Sequence, residues 1–309
     1  MKKIKKLIFT IFRIKPVNLI ILFIVKPLNT LFPKIFNKTA KRLPVNKQFK
    51  TKIDNTYSFK MYSNGYDSIA NQVYWGGIEA YETNTMVIFK LLVKNHRVFF
   101  DIGANTGIYS LYAASLNKKM DIHSFEPINT IYEYLEKNKR INGFENLNIN
   151  NIALSNSEAN LTFYIPYDDK MHVPLGASSR AEHLTEMKRI VNEVKATTLD
   201  IYSERNSIDN IDIIKIDTEG TEHLVFEGGF RILSKSKPVI FCEVLSGVNE
   251  SNVQPILDKL NYKYLVLTEN GLKIEKEIKG SKSRDYINHL FVQDDHIDFL
   301  LKNSISIYN

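Results

Sequence analysis

Short apolar runs alternate with segments of helical spacing from about residue 97 onward, and this alternation constrains the fold more than any other feature. The strings RVFFDIG, MDIHSFEP, LNINNIAL, IDIIKID and PVIFCEV each contain such a run. Runs of this kind are typical of parallel strands that helices bury on both faces. The sequence therefore predicts a doubly wound α/β fold with a mostly parallel sheet.

The segments around these strands predict the helices and the domain organisation. Helical patterns cover 107–118, 128–142, 221–234 and about 252–260, and YKYLVLT and INHLFVQ are two further strands that close the sheet. SEANLTFYIP is predicted as an edge strand or hairpin, and 166–196 as an irregular, partly helical insertion on the substrate side. We predict three parts: a basic arm over 1–60, a helical lead-in over 61–95 and an α/β domain over 96–309.

The charge of the chain is concentrated at its start. Residues 1–60 contain 15 Lys and Arg but one acid, Asp54, whereas the whole chain has a net charge of +7. The remaining residues are therefore net acidic, with a charge of −7. Because phosphate contacts need a basic face, we expect no nucleic-acid partner for the α/β domain. The single cysteine, Cys242, excludes an internal disulfide framework and a cysteine-rich metal centre within one chain.

The first 36 residues combine basic and apolar side chains. Helical spacing before Pro16, which we expect to stop the first helix, is followed by a mostly apolar stretch over 17–25 that ends at Lys26-Pro27. No window supplies the roughly 20 apolar residues of a spanning helix. The pattern favours an amphipathic segment on an anionic membrane surface, and hence a cytoplasmic protein that is peripheral on the inner face of the membrane. The alternative is a helical arm packed on the domain or on a second subunit.

The string VFFDIGANTG predicts a ligand-binding loop between a strand and a helix. Asp101 ends the strand, and Gly103 and Gly107 allow a tight turn and close approach of a ligand to the backbone. The spacing is neither G-x-G-x-x-G nor the G-x-x-x-x-G-K-[ST] of a P-loop, and a carboxylate at Asp101 would repel a pyrophosphate. It suits a cationic or amine-bearing ligand.

The next two strands add candidates at the same edge of the sheet. Glu126, at the tip of the second strand, is suited to two ribose hydroxyls, because a carboxylate accepts from both. Asn151, Ala153 and Leu154, at the end of the third strand, lie beside the place that an adenine would occupy. Ligands of open α/β sheets bind outside the carboxyl ends of the strands, where these segments meet.

With these motifs the sequence resembles the FkbM family of S-adenosylmethionine-dependent methyltransferases over about 79–245. The resemblance depends on VFFDIGANTGIYSL, SFEP, NNIALSNSEANLTFY, ATTLDIY and, most specifically, IIKIDTEGTEHLVFEGG. It implies a seven-stranded sheet, S-adenosylmethionine as cofactor and O-methylation of a sugar or another small hydroxylated metabolite. The cofactor-binding residues predicted from the motifs and the strand ends are Asp101, Gly103, Ala104, Asn105, Gly107, Glu126, Asn151, Ala153 and Leu154.

The second motif supplies the candidate catalytic residues Asp217, Glu219 and Glu222. Asp217 ends a buried strand, where it would remove a proton from a substrate hydroxyl or position that hydroxyl. It is also suited, with Glu219 or Glu222, to a divalent metal, so metal dependence stays open and no metal ligand is assigned. The alternative for both glutamates is that they are first-turn acids favoured by the helix dipole. Weaker candidates are Glu243, Ser178, Ser179, His289 and Glu82.

The sequence thus predicts an enzyme that methylates a hydroxyl of a small molecule or, more specifically, of a sugar in a surface glycan or lipid-linked saccharide. Two alternatives remain. One is a nicotinamide-dependent oxidoreductase on a Rossmann fold. The other is a non-catalytic, membrane-associated binding or scaffold protein on a methyltransferase fold, against which the intact glycine and acid motifs argue.

Overall fold

The structure of the chain is a computed structural model that describes residues 10–32, 43–166, 189–280 and 288–309. The helices of eight or more residues are α1 (Lys15–Leu31), α2 (Ser68–Gly76), α3 (Thr83–Asn95), α4 (Ile108–Leu116), α5 (Asn129–Asn142), α9 (Glu250–Lys259) and α10 (Asp294–Lys302). Three shorter helices are α6 (Leu199–Arg205), α7 (Glu222–Gly228) and α8 (Phe230–Ser236), and a 3-10 turn covers Ile78–Ala80.

Nine strands of the described residues form one large sheet. They are β3 (Val98–Ile102), β4 (Asp121–Phe125), β5 (Leu147–Asn150), β9 (Ile213–Ile216), β10 (Val239–Glu243), β11 (Lys263–Thr268), β12 (Gly271–Glu275), β13 (Asn288–Val292) and β14 (Ile307–Tyr308). Their order is β14-β12-β11-β13-β10-β9-β3-β4-β5. The five strands from β10 to β5 run parallel, and β13 is antiparallel between β10 and β11.

This arrangement confirms the predicted doubly wound α/β fold. Seven of the strands, from β11 to β5, form the predicted sheet, and β12 and β14 extend it at the edge beyond β11. β3 and β9 lie near its centre. Both faces of these two strands are buried, as Phe99, Phe100, Ile213 and Ile214 show. The strand order reverses beside β3, which places a ligand crevice at the carboxyl ends of β3, β4 and β9.

A smaller sheet lies beside α5, in the order β6-β8-β7. It consists of β6 (Ala153–Ser155), β7 (Ala159–Pro166) and β8 (Arg189–Thr198). The prediction of a strand at β7 is correct, but the prediction of irregular structure over 166–196 is wrong for its last part, which belongs to β8. The remainder of that segment, with Ser178 and Ser179, lies outside the described residues.

The region before the main domain is held by a hairpin and by polar contacts. β1 (Asn46–Lys52) pairs antiparallel with β2 (Ser58–Asn64), so the predicted boundary at residue 60 falls inside a strand. Helix α1 packs beside β1, where the Asn18 side chain donates to the carbonyls of Phe12 and Pro44, at 2.7 Å each. Within the described residues no helix is long and apolar enough to cross a membrane.

One helical prediction is confirmed and one needs correction. Residues 10–13 are helical and their helix ends before Pro16, as predicted. Pro16 lies in the first turn of α1, and that helix continues through Pro27. The anchoring of Asn18 and Leu22 on the domain, where each is about 1–2% exposed, compensates for the hydrogen bond that an internal proline removes. The helix predicted over 221–234 is two helices that break at Gly229, where a Cβ atom would lie 2.6 Å from the Leu199 side chain.

Candidate active site

A cleft opens at the carboxyl ends of β3, β4 and β9 and encloses about 1020 Å³ of empty space, part of it open to solvent. Most of the predicted site residues line it, namely Asp101, Gly103, Ala104, Asn105, Glu126, Ala153, Leu154, Asp217 and Glu219. The structure thus brings four separate segments of the chain together, as the strand-end argument predicts.

The loop after β3 is fixed by its glycines. Gly103 has a φ of +79°, and a Cβ atom there would lie 1.9 Å from the carbonyl oxygen of Asp217. Gly107 has a φ of +92° and packs against Leu135, outside the lining of the cleft. The need for glycine is therefore explained by backbone conformation and packing at both positions, and Gly107 is not placed to contact a ligand.

Asp101 is buried at the tip of β3. Its Oδ2 atom accepts hydrogen bonds from the backbone N–H of Ser110, at 3.1 Å, and from the Ser110 hydroxyl, both in α4. Burial raises the pKa of Asp101 to about 6, although the bonds from Ser110 oppose that shift. One oxygen thus ties the strand to the helix, and the residue still lines the cleft.

Glu126 closes the next part of the loop. Its two oxygens accept the backbone N–H groups of Asn105, at 3.0 Å, and Ile128, at 2.9 Å. Burial is the main cause that raises the pKa of Glu126 to about 7. Because each oxygen keeps a second lone pair, the carboxylate has capacity for two hydroxyl donors from a ligand.

The third strand does not contribute as predicted. Asn151 is exposed, outside the cleft lining, and donates to the carbonyls of Glu126, at 2.9 Å, and Pro127, at 3.1 Å. It holds the Glu126 loop in place instead of facing the cleft. The wall there is formed by its neighbour Ile152 with Ala153 and Leu154.

The loop after β9 separates the three candidate catalytic acids. Asp217 and Glu219 line the cleft, and the Asp217 side chain is 34% exposed. Glu222 is 1% exposed and outside the lining. Its Oε1 atom accepts from the Thr218 N–H and hydroxyl and from the Gly220 N–H, at 2.9–3.1 Å, and its Oε2 accepts from Asn249 at 2.6 Å. Glu222 therefore holds this loop in place through four hydrogen bonds.

Lys215 is a cleft residue that the sequence argument missed. It lies inside β9, is 3% exposed, and its Nζ is 3.8 Å from Asp217 Oδ2. Burial works to lower the pKa of Lys215, but Asp217, Glu82 and Glu243 outweigh it and hold that pKa above its ordinary value. The lysine interrupts the apolar run IDIIKID, and that interruption was the available signal, since a buried lysine needs a paired acid.

Glu243 and Glu82 complete an acidic group beside Lys215. Burial, followed by the charge of Asp217, raises the pKa of Glu243 to about 9, and the two carboxyls share a hydrogen bond. Glu82 accepts from the Tyr109 hydroxyl and, at 2.8 Å, from the Asn288 side chain. Tyr81 and Tyr109 line the cleft, and burial raises the pKa of each well above its ordinary value, so both phenols stay protonated.

The described lining of the cleft carries a net negative charge. The lining contains one ammonium group, that of Lys215, and four carboxyl side chains, those of Asp101, Glu126, Asp217 and Glu219. Within the described residues no group of three or more His, Cys, Asp or Glu is arranged to hold a metal ion. The charge of the cleft suits a ligand that carries positive charge.

The fold and the cleft define the chain as an α/β domain with a cleft outside the carboxyl ends of its central strands, where folds of this class hold small ligands. The family model of the methyltransferase FkbM domain matches residues 101–271, more than half of the chain. The chain therefore belongs to the FkbM methyltransferase family, which confirms the resemblance of its motifs.

Solved structures and curated proteins give weaker likenesses. The FkbM methyltransferase from Methylobacillus flagellatus KT is 13% identical, with a TM-score of 0.41 and coverage of 64% of this chain and 44% of that one. A SAM-dependent methyltransferase from Agrobacterium tumefaciens is 11% identical, with a TM-score of 0.41 and coverage of 81% and 71%.

Among curated proteins, the tRNA modification GTPase MnmE from Mesoplasma florum is 30% identical over 113 residues, which is 34% of this chain and 25% of that protein. MnmE from Caldicellulosiruptor saccharolyticus is 28% identical over 140 residues, or 41% and 31%. The chain thus spans about a quarter to a third of the length of these relatives. The P-loop motif G-x-x-x-x-G-K-[ST] is absent from its sequence.

Proposed function

We propose that the chain is an S-adenosylmethionine-dependent O-methyltransferase that acts on a hydroxyl of a sugar in a surface glycan or lipid-linked saccharide. One observation carries the proposal: Asp101, Glu126 and Asp217, at the tips of three neighbouring strands, line one continuous cleft. The first two are suited to a cofactor, and the third to an acceptor hydroxyl. Membership of a methyltransferase family makes methyl transfer the reaction to expect.

The charge and shape of the cleft support this cofactor. S-adenosylmethionine carries a sulfonium and an amino group, and the lining has an excess of carboxylates. Glu126 would accept from the ribose hydroxyls, and the apolar wall of Ile128, Ile152 and Leu154 would cover the adenine. The same negative charge disfavours the pyrophosphate of a nicotinamide dinucleotide.

Asp217 is the residue we assign to the acceptor. When bound, S-adenosylmethionine supplies a methyl group on a positively charged sulfur, which leaves as a neutral thioether. At neutral pH Glu243 is protonated and donates to Asp217. Asp217 orients the acceptor hydroxyl and takes its proton.

A sugar acceptor is supported by the polar side chains around Asp217. The hydroxyls of Tyr81, Thr218 and Thr221 belong to the same lining. The Thr218 and Thr221 hydroxyls already donate within the protein, to Glu222 and to the Thr218 carbonyl. Each hydroxyl oxygen keeps a lone pair that can accept from an acceptor with several hydroxyl groups, which an apolar acceptor cannot offer. We therefore propose a polyhydroxylated acceptor.

Calorimetric titration with S-adenosylhomocysteine and with NAD tests the cofactor. We expect the first ligand to bind and the second not to, and Glu126→Gln to weaken binding by about tenfold or more because a charged acceptor is lost. The exposed Glu269→Gln variant is the matched control and should bind as wild type does. Binding of NAD alone would overturn the proposal.

Transfer of a labelled methyl group into glycan and lipid-linked saccharide fractions of a cell extract, with mass spectrometry of the product, tests the reaction. Asp217→Asn should lower turnover by about 100-fold or more and leave the affinity for S-adenosylhomocysteine within about twofold. The control Asp209→Asn changes a side chain that is 93% exposed and should keep wild-type turnover. Full activity of Asp217→Asn would remove Asp217 from the mechanism, and cofactor binding without transfer to any fraction would favour the scaffold alternative.

A further inference from the structure

Helix α1 presents a large apolar surface to solvent. Ile20 is 62% exposed, Phe23 81% and Leu31 70%, and Leu19 and Ile24 are exposed beside them. The spacing of these residues places them on one side of the helix. Exposed apolar side chains in such a continuous group mark an interaction surface.

The opposite side of α1 is fixed to the domain. Leu22 is 2% exposed, and Asn18 makes three hydrogen bonds, two as donor and one in which its Oδ1 accepts the Asn46 N–H at 2.8 Å. Arg13, just before the helix, donates to the Gly65 carbonyl at 3.0 Å and lies 4.2 Å from the centre of the Tyr66 ring. These contacts hold the apolar side outward, so it needs an occupant from outside the described chain.

The charge around α1 identifies that occupant. Residues 10–32 contain three basic residues and no acid, and the adjoining hairpin exposes Lys50, Lys52 and Lys60. The one acid of residues 1–60, Asp54, is paired with Lys90 at 2.7 Å. A second copy of the chain on this surface would bring two strongly basic arms together, and like charges would oppose that contact.

We propose that the outer side of α1 docks on an anionic lipid bilayer, with Ile20, Phe23 and Ile24 in the acyl boundary and the basic charge of this region attracting the anionic headgroups. An amphipathic helix with large apolar residues on one side and a basic surround binds such surfaces without spanning them. This inference does not depend on the proposed reaction.

Flotation of the full chain with phosphatidylcholine vesicles, with and without phosphatidylserine, tests the docking. We expect binding that requires phosphatidylserine and weakens with added salt. The variant Ile20→Ser/Phe23→Ser should lose about tenfold or more of its vesicle partition, because two large apolar side chains no longer enter the lipid. The matched control Val87→Ser/Leu301→Ser removes two other exposed apolar side chains in helices and should bind as wild type does.

Circular dichroism and thermal unfolding of each variant show that it is folded, which we expect because the changed residues face solvent. Absence of wild-type binding to phosphatidylserine vesicles would overturn the proposal, as would equal binding by Ile20→Ser/Phe23→Ser. Self-association in analytical ultracentrifugation that this variant alone abolishes, without vesicle binding, would assign the surface to a second copy of the chain.

Discussion

At the scale of single residues, the site depends on a contact between two backbones. The close approach of Gly103 to the Asp217 carbonyl leaves no space for a side chain, and the positive φ of Gly103 is one that other residues rarely adopt. Backbone N–H groups likewise hold Asp101, through Ser110 in α4, and Glu126, through Asn105 and Ile128. The main chain therefore positions both acids, and the Ser110 hydroxyl adds one side-chain hydrogen bond to Asp101.

The close approach of Gly103 to Asp217 predicts that a side chain at position 103 destabilises the protein. Gly103→Ala should lower the free energy of unfolding by at least about 2 kcal/mol, because it adds steric overlap to backbone strain. Gly143→Ala is the matched control: its φ is +64°, but a Cβ atom there meets nothing within 4 Å, so the cost should be about 1 kcal/mol. Urea unfolding of both variants measures the difference, and equal losses would show that the approach to Asp217 is not the cause.

Residue types and strand ends predicted much of the site, and packing determined the remainder. Asp101, Glu126 and Asp217 could be assigned to one edge because each lies at the carboxyl end of a buried strand. Asn151 could not be distinguished from Ile152 by sequence, since which of two adjacent residues faces a cleft depends on how the loop is tied down. The pairing of Lys215 with Asp217 could have been predicted, because residues two apart in a strand lie on the same side and a lysine inside an apolar run needs an acid.

At the scale of elements, the loop between β9 and α7 is organised around one buried carboxylate. Glu222 accepts three hydrogen bonds from Thr218 and Gly220 and a fourth from Asn249, which precedes α9. The loop that carries Asp217 is therefore tied both to its own helix and to the segment after β10. Its geometry depends on Glu222, although Glu222 does not line the cleft.

Removal of this carboxylate should have both a structural and a kinetic effect. We expect Glu222→Ala to lower the free energy of unfolding by at least about 2 kcal/mol, since buried donors lose a charged acceptor, and to lower turnover through misplacement of Asp217. Glu227→Ala, on the exposed part of the same helix, is the control and should cause a much smaller loss. Chemical denaturation and methyl-transfer rates measure the two effects. Wild-type stability and turnover for Glu222→Ala would show that the Glu222 carboxylate does not hold this loop in place.

The elements that the sequence predicted best are central strands with short, mostly apolar runs, among them β3, β9 and β10. The hairpin of β1 and β2 was missed because its buried residues, such as Phe49 and Met61, alternate with lysines that made the segment look like part of a basic arm. Helix α1 continues through Pro27 because its inner side is anchored on the domain. Both features arise where tertiary contacts override local preference.

At the scale of the whole molecule, three buried carboxyls link stability to pH. Burial raises the pKa of Asp101 to about 6, of Glu126 to about 7 and, together with the charge of Asp217, of Glu243 to about 9. Each group binds its proton more tightly in the folded than in the unfolded chain. Their contribution to stability is therefore fully present below the ordinary carboxyl values near 4 and is lost as the pH rises towards 9.

Glu243→Gln isolates one of these groups, because glutamine can keep the hydrogen bond to Asp217 without titrating. We expect the variant to be more stable than wild type by at least about 1 kcal/mol at pH 8, and the difference to shrink at pH 5. Thermal or urea unfolding at the two pH values measures it, with Glu269→Gln as a control whose difference from wild type should not change. A difference for Glu243→Gln that is the same at both pH values would contradict the assignment.

The contact between Gly103 and Asp217 also limits how a site of this kind diverges. The loop after β3, which we propose for the cofactor, and the loop after β9, which we propose for the acceptor, meet there through backbone atoms. An insertion or a larger residue in one loop would displace the other. We expect proteins that share the contact between Gly103 and Asp217 but act on different acceptors to differ in the walls of the cleft. The differences should concentrate around β7 and β8, where a change leaves this backbone contact intact. New specificity would then arise by exchange of a peripheral segment while the alignment of methyl donor and acceptor is inherited unchanged.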